Sequence, residues 1–158
     1  MNEELIPDVE PTEPDEPDTS DPPLEEKRDS ILTSIKKLLG IDEEYEHFDK
    51  DIIVHINSAF MVLNQLGVGP EEGFRIKSKD EVWEQYDGIE DLQSVIDYVY
   101  MKVRLIFDPP SNSFTVASLE REMNELGWRL MIKAEEGDAN DGKKRTRPLW
   151  RSRNEVGS

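Results

Sequence analysis

Large apolar side chains are confined to one stretch of this chain, and that confinement limits what can fold. Positions 1–29 of the 158 residues hold six of the ten prolines (Pro7, Pro11, Pro14, Pro17, Pro22, Pro23) and twelve acids against two bases, a net charge of −10. Proline denies the backbone a hydrogen-bond donor and like charges repel. Only Leu5, Ile6, Val9 and Leu24 offer large apolar groups against the entropy of ordering, so the leader is expected to stay unfolded by itself. Positions 30–136 carry 21 acids and 11 bases, again a net of −10, together with nearly every large apolar residue, and are expected to be the folded unit. Positions 137–158 reverse the sign: Lys143, Lys144, Arg145, Arg147, Arg151 and Arg153 outnumber Asp138, Asp141 and Glu155, a basic, glycine-containing tail that is expected to be mobile.

The whole chain stands at −17 with 35% hydrophobic residues and no cysteine. The missing cysteines exclude a disulfide framework, thiolate metal sites and a cysteine nucleophile. The acidic, proline-rich start lacks the basic and then apolar order of a secretory signal. The longest run without Asp, Glu, Lys or Arg, Ile52 to Pro70, is tested against a membrane span and fails: His55, Asn57, Ser58, Asn64 and Gln65 interrupt it, and Gly67, Gly69 and Pro70 end it. It reads as an amphipathic helix.

Breakers and periodicity divide 30–136 into four or five helical stretches, a mainly α-helical bundle with unfolded tails. Asp29 or Ser30 caps a first helix with Ile31, Leu32, Ile35, Leu38 and Leu39 at helical spacing and Gly40 at its close. A second spans about Asp49 to Leu66, with Ile52, Ile53, Ile56, Phe60 and Leu63 along one stripe. Ser78 and Glu81 have the spacing of a capping box for a short third helix bearing Val82 and Trp83, stopped by Gly88, and Phe74 to Ile76 suits a stub of strand. The stretch ending Asp108, Pro109, Pro110 is apolar on nearly every side. Its length from Asp91 to Phe107 exceeds a normal strand, so it is expected to be the central buried helix. Ser113 caps the last helix, in which Val116, Leu119, Met123, Leu126 and Leu130 step by three and four residues. Phe114, Trp128 and Met131 widen that surface beyond what one partner helix needs, so the stripe serves either the subunit's own core or packing between subunits.

Chemistry is sparse. His47, Asp51 and His55 follow at intervals of four, but the outer pair lie about 12 Å apart along a helix, too far for one ion. The acids from Asp42 to Asp51 lack the glycine and glutamate that a calcium loop needs, since His47 and Ile53 occupy those positions. Gly137 to Lys144 is one residue short of a phosphate-binding loop, with Lys144 where a magnesium-holding hydroxyl belongs and no strand before it. No catalytic residue, metal or cofactor is expected. The basic cluster with Trp150 among its charges suits an acidic protein surface better than nucleic acid, which the rest of the chain repels.

The order of motifs resembles a known family. Ser30 to Gly40 (SILTSIKKLLG) precedes Ile41 to Asp51 (IDEEYEHFDKD), an apolar helix ending at Gln65 to Gly69, and Tyr98 to Pro110 (YVYMKVRLIFDPP). That order is similar to the head-to-tail connector, or adaptor, proteins of long-tailed bacteriophages, over about residues 30–136. The resemblance implies a non-enzymatic, mostly helical protein of the virion neck, assembled in the host bacterial cytoplasm. It implies a ring, a dodecamer, matched to the portal protein on one side and to a tail or stopper (completion) protein on the other. Genomic DNA passes through its lumen without specific binding, and no membrane is involved. It also implies that the C-terminal segment reaches the portal, which assigns that contact to Lys143, Lys144, Arg145, Arg147, Trp150, Arg151 and Arg153. Val116, Leu119, Met123, Leu126 and Leu130 are then candidates for intersubunit packing. The acidic leader is not a feature of the family. A helical inhibitor that mimics DNA is the competing reading of so acidic a chain, and a metal enzyme centred on His47, Asp51 and His55 is a third.

Overall fold

The computed structural model describes residues 30–86 and 91–141. The acidic leader, the expected Gly88 stop and the basic residues from Lys143 onward lie outside them. Among the described residues four α-helices form: α1 (Ile31–Leu39), α2 (Asp49–Gln65), α3 (Leu92–Phe107) and α4 (Ser113–Asp141), with single 3₁₀ turns at Glu46–Phe48 and Trp83–Gln85. The mainly helical class agrees with the sequence reading.

α1 starts where the Ser30 hydroxyl accepts the Thr33 N–H at 3.1 Å, one of the donors a helix start leaves orphaned. It ends at Gly40, whose φ of 76° lets the Ile41 N–H turn back to the Lys36 carbonyl at 2.9 Å. Ile31, Leu32, Ile35 and Leu39 are buried, while Leu38 faces outward and Lys36 takes an inward position that its charge does not suggest. α2 buries Ile52, Ile56, Ala59, Phe60 and Leu63.

The segment after α2 differs from expectation. Among the described residues no strand forms, only an isolated bridge between Ser30 and Val82. At Ile76 the Asn57 side chain stands in for a partner strand: its amide nitrogen donates to the Ile76 carbonyl and its oxygen accepts the Ile76 N–H, both at 2.9 Å. Ser78 and Glu81 do bond to each other, with the Ser78 N–H and hydroxyl both donating to the Glu81 carboxylate. They do not open an α-helix. The Ile31 N–H donates to the Glu81 carbonyl at 2.9 Å, and Val82 is held extended beside Ser30, so tertiary pairing overrides the local helix signal. A single 3₁₀ turn forms instead and seats Trp83 with its indole N–H on the Ser34 hydroxyl at 3.2 Å. Phe60 is then surrounded by the rings of Phe74, Trp83 and Tyr86, at centroid distances of 5.3, 6.0 and 4.8 Å.

α3 is the central helix, packing against α1, α2 and α4. Asp91 caps it through the Ser94 N–H at 3.1 Å, and the Asp108–Pro109–Pro110 stop falls at the expected place. α3 meets its two large neighbours at both ends, and the end of α2 approaches α4 where Leu66 lies beside Gly127. Tyr98 meets α4 at Gly127, and Phe107, nine residues or half a turn away around the helix, meets Phe48 at the start of α2. Gly127 makes the α3–α4 approach possible, since a Cβ there would stand 3.1 Å from the Tyr98 ring. α4 is not capped by Ser113, which is its first helical residue. Asn112 does this instead, its side-chain oxygen accepting the Phe114 N–H at 2.8 Å. α4 runs 29 residues, through Gly137 to Asp141 and past position 136, where the charge of the sequence changes sign.

Candidate functional site

Nothing about the described residues concentrates chemistry. His47 belongs to the 3₁₀ turn ahead of α2 and stacks edge-on against Phe48 at 4.8 Å, so it does not share a helix face with Asp51 and His55. His55 leans toward the Phe107 ring at 6.5 Å. Among the described residues no group of three or more His, Cys, Asp or Glu side chains is placed to hold a metal ion. Gly137 to Asp141, the front of the near-match to a phosphate loop, is helical. A phosphate cradle needs an irregular backbone there, with its N–H groups free to converge.

The ionisable groups with a clear shift serve structure. Burial opposes the charge on Glu81, but hydrogen bonds from the backbone at Ser78 and Lys77 and from the Ser78 hydroxyl outweigh it, and the carboxyl is held below its ordinary value. Asp91 is drawn down to about 2, first by its hydrogen bond with Lys133 and then by those from Ser94. The Lys133 ammonium donates to it at 2.6 Å, which ties the start of α3 to α4. Burial raises the Tyr98 hydroxyl.

Lys36 is the most unusual charged group, 1% exposed. An ammonium has three protons to donate. Here they go to the carbonyls of Glu43 and Tyr45 at 2.9 and 3.0 Å and to the Asp49 carboxylate at 2.7 Å. One side chain therefore holds the acidic connection between α1 and α2, and Asp49 at the first turn of α2, to the body of α1. Sequence reasoning missed it, although the signal was present: Lys36 stands four residues after Leu32, on the buried side of α1.

The rest is surface. On α4 the stripe that spacing leaves open between the subunit's own core and packing between subunits turns toward the subunit's own α3 at its centre. Met123 and Leu130 are buried, Leu119 and Leu126 pack at the edge of the same core, and Val116 is half-buried. The opposite side of α4 carries Phe114 and Trp128, 75% and 60% exposed. Fourteen residues separate them, close to four turns, so they lie on one line. Arg121 stands midway and Ile132 one turn beyond Trp128. α2 also has an outward line, Val54, Ser58, Met61 and Gln65, in which Val54 is 62% and Met61 49% exposed. The sequence reading does not single out Val54 or Met61. The signal for them was the charge-free run Ile52 to Pro70, which deprives the exposed side of α2, as well as its buried side, of charge.

A helical unit with no catalytic cluster among its described residues and outward apolar lines on two helices fits a protein that works by contact. The family model described as phage connector protein matches residues 31–137, from the first residue of α1 through nearly all of α4. The chain belongs to the phage connector family. This connector is thus a structural phage protein of the head-tail neck, as the order of its motifs suggests. No curated protein and no solved structure is similar enough to match it. Among its described residues no helix is long and apolar enough to cross a membrane.

Proposed function

We propose that this connector forms an adaptor ring at the virion neck, seated between the portal and the tail or its stopper protein, and lines the channel through which the genome passes. The family match over residues 31–137, nearly all of the described helical unit, is the observation that carries this reading. The physical chemistry supports it. A folded unit of this size has a small core, and closing identical copies into a ring, a dodecamer in this reading, covers apolar groups that one copy leaves in water. A body of net −10 over residues 30–136 also suits a conduit, because phosphate repelled by every wall slides without sticking. The basic tail, with Lys143, Lys144, Arg145, Arg147, Trp150, Arg151 and Arg153, supplies the portal contact, its cations and indole captured by an acidic groove. Assembly takes place in the host cytoplasm.

The test is mass measurement of the purified full chain, alone and mixed with portal, beside a variant lacking residues 142–158. That deletion keeps all four helices intact. The full chain is expected to add to portal in a fixed ratio and the truncated chain to stay free with unchanged helix content. Normal docking of the truncated chain removes the tail from the portal contact. The net charge of −17 favours one alternative, an acidic mimic of DNA. Such a mimic would stay a monomer or dimer and bind a DNA-binding enzyme, and finding it so, absent from purified particles, refutes the ring.

A further inference from the structure

We infer that copies of this connector join head to tail, with the outward line of α4 on one copy packing against the outward line of α2 on the next. This rests on the ring reading and names its contact. Three observations lead to it. First, the two lines are distinct surfaces on two different helices, each on the side of its helix away from that helix's buried stripe. Rotational repetition around a ring of more than two copies needs two different matching surfaces on two flanks, whereas a single self-matching surface gives a closed pair.

Second, the charges select the occupant. Two copies of a chain at −17 repel, and carboxylates brought face to face in a dry contact make this worse. The exposed side of α2 beyond Asp51 offers no charge to repel, since Ile52 to Pro70 contains no Asp, Glu, Lys or Arg. A cationic partner would gain from carboxylates on this surface. A second acidic copy is the partner that gains from their absence.

Third, the outward line of α4 is built around exposed rings. Phe114 and Trp128 stand on it, and the charge between them is mixed: Glu125 is paired with Arg129 at 2.5 Å, and Arg121 is flanked by exposed Glu120 and Glu122. Phe114 and Trp128 are therefore set to bury aromatic area on the uncharged side of α2, where no carboxylate meets the glutamates of α4. Aromatic anchors of this kind dominate measured interface energies.

The chain has no cysteine, so a pair of introduced thiols reports the contact without background. One full-length chain carries Met61→Cys or Val54→Cys, and the other carries Trp128→Cys or Phe114→Cys. The pairs are mixed under mild oxidation and read on a non-reducing gel, with the mass of the uncrosslinked chain followed in parallel. The expected result is a two-chain product in at least one mixture and little or none from any single variant. A chain carrying both thiols of the productive pair should give a ladder of multimers. Met61→Asp, at a half-exposed position where the fold tolerates it, should weaken self-association at least tenfold with helix content unchanged.

Self-association without any mixed crosslink, or undiminished by Met61→Asp, overturns this contact and leaves the ring standing. Strong crosslinking by single variants overturns it as well, because it shows a self-matching pair. A chain that stays monomeric at every concentration, and also beside portal, overturns both the contact and the ring.

Discussion

Adjacent lysines on α1 show how burial changes the value of one charge. Lys37 pairs with Glu43 at 3.5 Å in water, with both side chains a third or more exposed, and such pairs contribute about 0–1 kcal/mol. Lys36 is buried with all three protons placed on acceptors, and removing one partner of a buried pair costs about 3–5 kcal/mol. Lys36→Met should therefore lower the free energy of unfolding by about 3 kcal/mol, near the low end because Asp49 keeps some contact with water. Lys37→Met should change it by less than about 1 kcal/mol. Urea midpoints at constant slope measure both, and similar losses for the two variants would show that Lys36 is not the staple of the α1–α2 connection. Gly69 makes a second test at this scale. It has a φ of 93°, and a Cβ there would fall inside contact distance of the Tyr86 hydroxyl, which itself donates to the Val68 carbonyl at 3.2 Å. Gly69→Ala combines backbone strain with displacement of a buried ring and should cost about 2 kcal/mol or more in the same measurement.

Each helix was legible in the sequence to the extent that its own residues decide it. α3 was readable because a 16-residue run ending in Asp-Pro-Pro is too long for a strand and has one natural stop. Val82 was not, because what keeps it extended is Ser30, some fifty residues away, and no local pattern reveals a distant partner. The cap of α4 was misplaced by one residue, a choice between Asn112 and Ser113 that only the path of the backbone makes. On α4 the periodic stripe was visible, but which of two apolar lines faces α3 depends on Gly127 admitting Tyr98. The junction of α3 with α4 leads to a pH prediction. The carboxyl of Asp91 titrates at about 2 in the folded chain, against an ordinary 3.8, through Lys133 and Ser94. A lowered folded value means that its contribution is fully present above the unfolded value and is lost as pH falls from about 4 toward 2. Asp91→Asn keeps a good cap but not the charge. The stability difference between the wild-type chain and this variant, followed by thermal unfolding, should be constant from pH 7 to about 5 and shrink below about 4. A difference that does not shrink in acid would show that the Asp91–Lys133 pair does not stabilise the fold.

For the whole molecule, the opposing quantities are net charge and apolar contact. Every copy added to the proposed ring brings a further −17, so the repulsive work grows with each addition, while the apolar gain per contact stays fixed. Salt acts on these two unequally. Raising ionic strength from about 0.01 to 1 M shortens the screening length from about 30 to 3 Å, which removes repulsion between distant acids but barely touches packing at Val54, Met61, Phe114 and Trp128. Self-association measured by mass against concentration should therefore strengthen steadily with salt. If the basic tail docks on portal as proposed, that step is driven by opposite charge and should weaken over the same range. Opposite salt slopes for the two steps are the signature of a connector that meets its own kind through uncharged surface and its portal through opposite charge. Parallel slopes would assign both contacts to the same kind of force, and the division of labour between α2, α4 and the tail would fail with them.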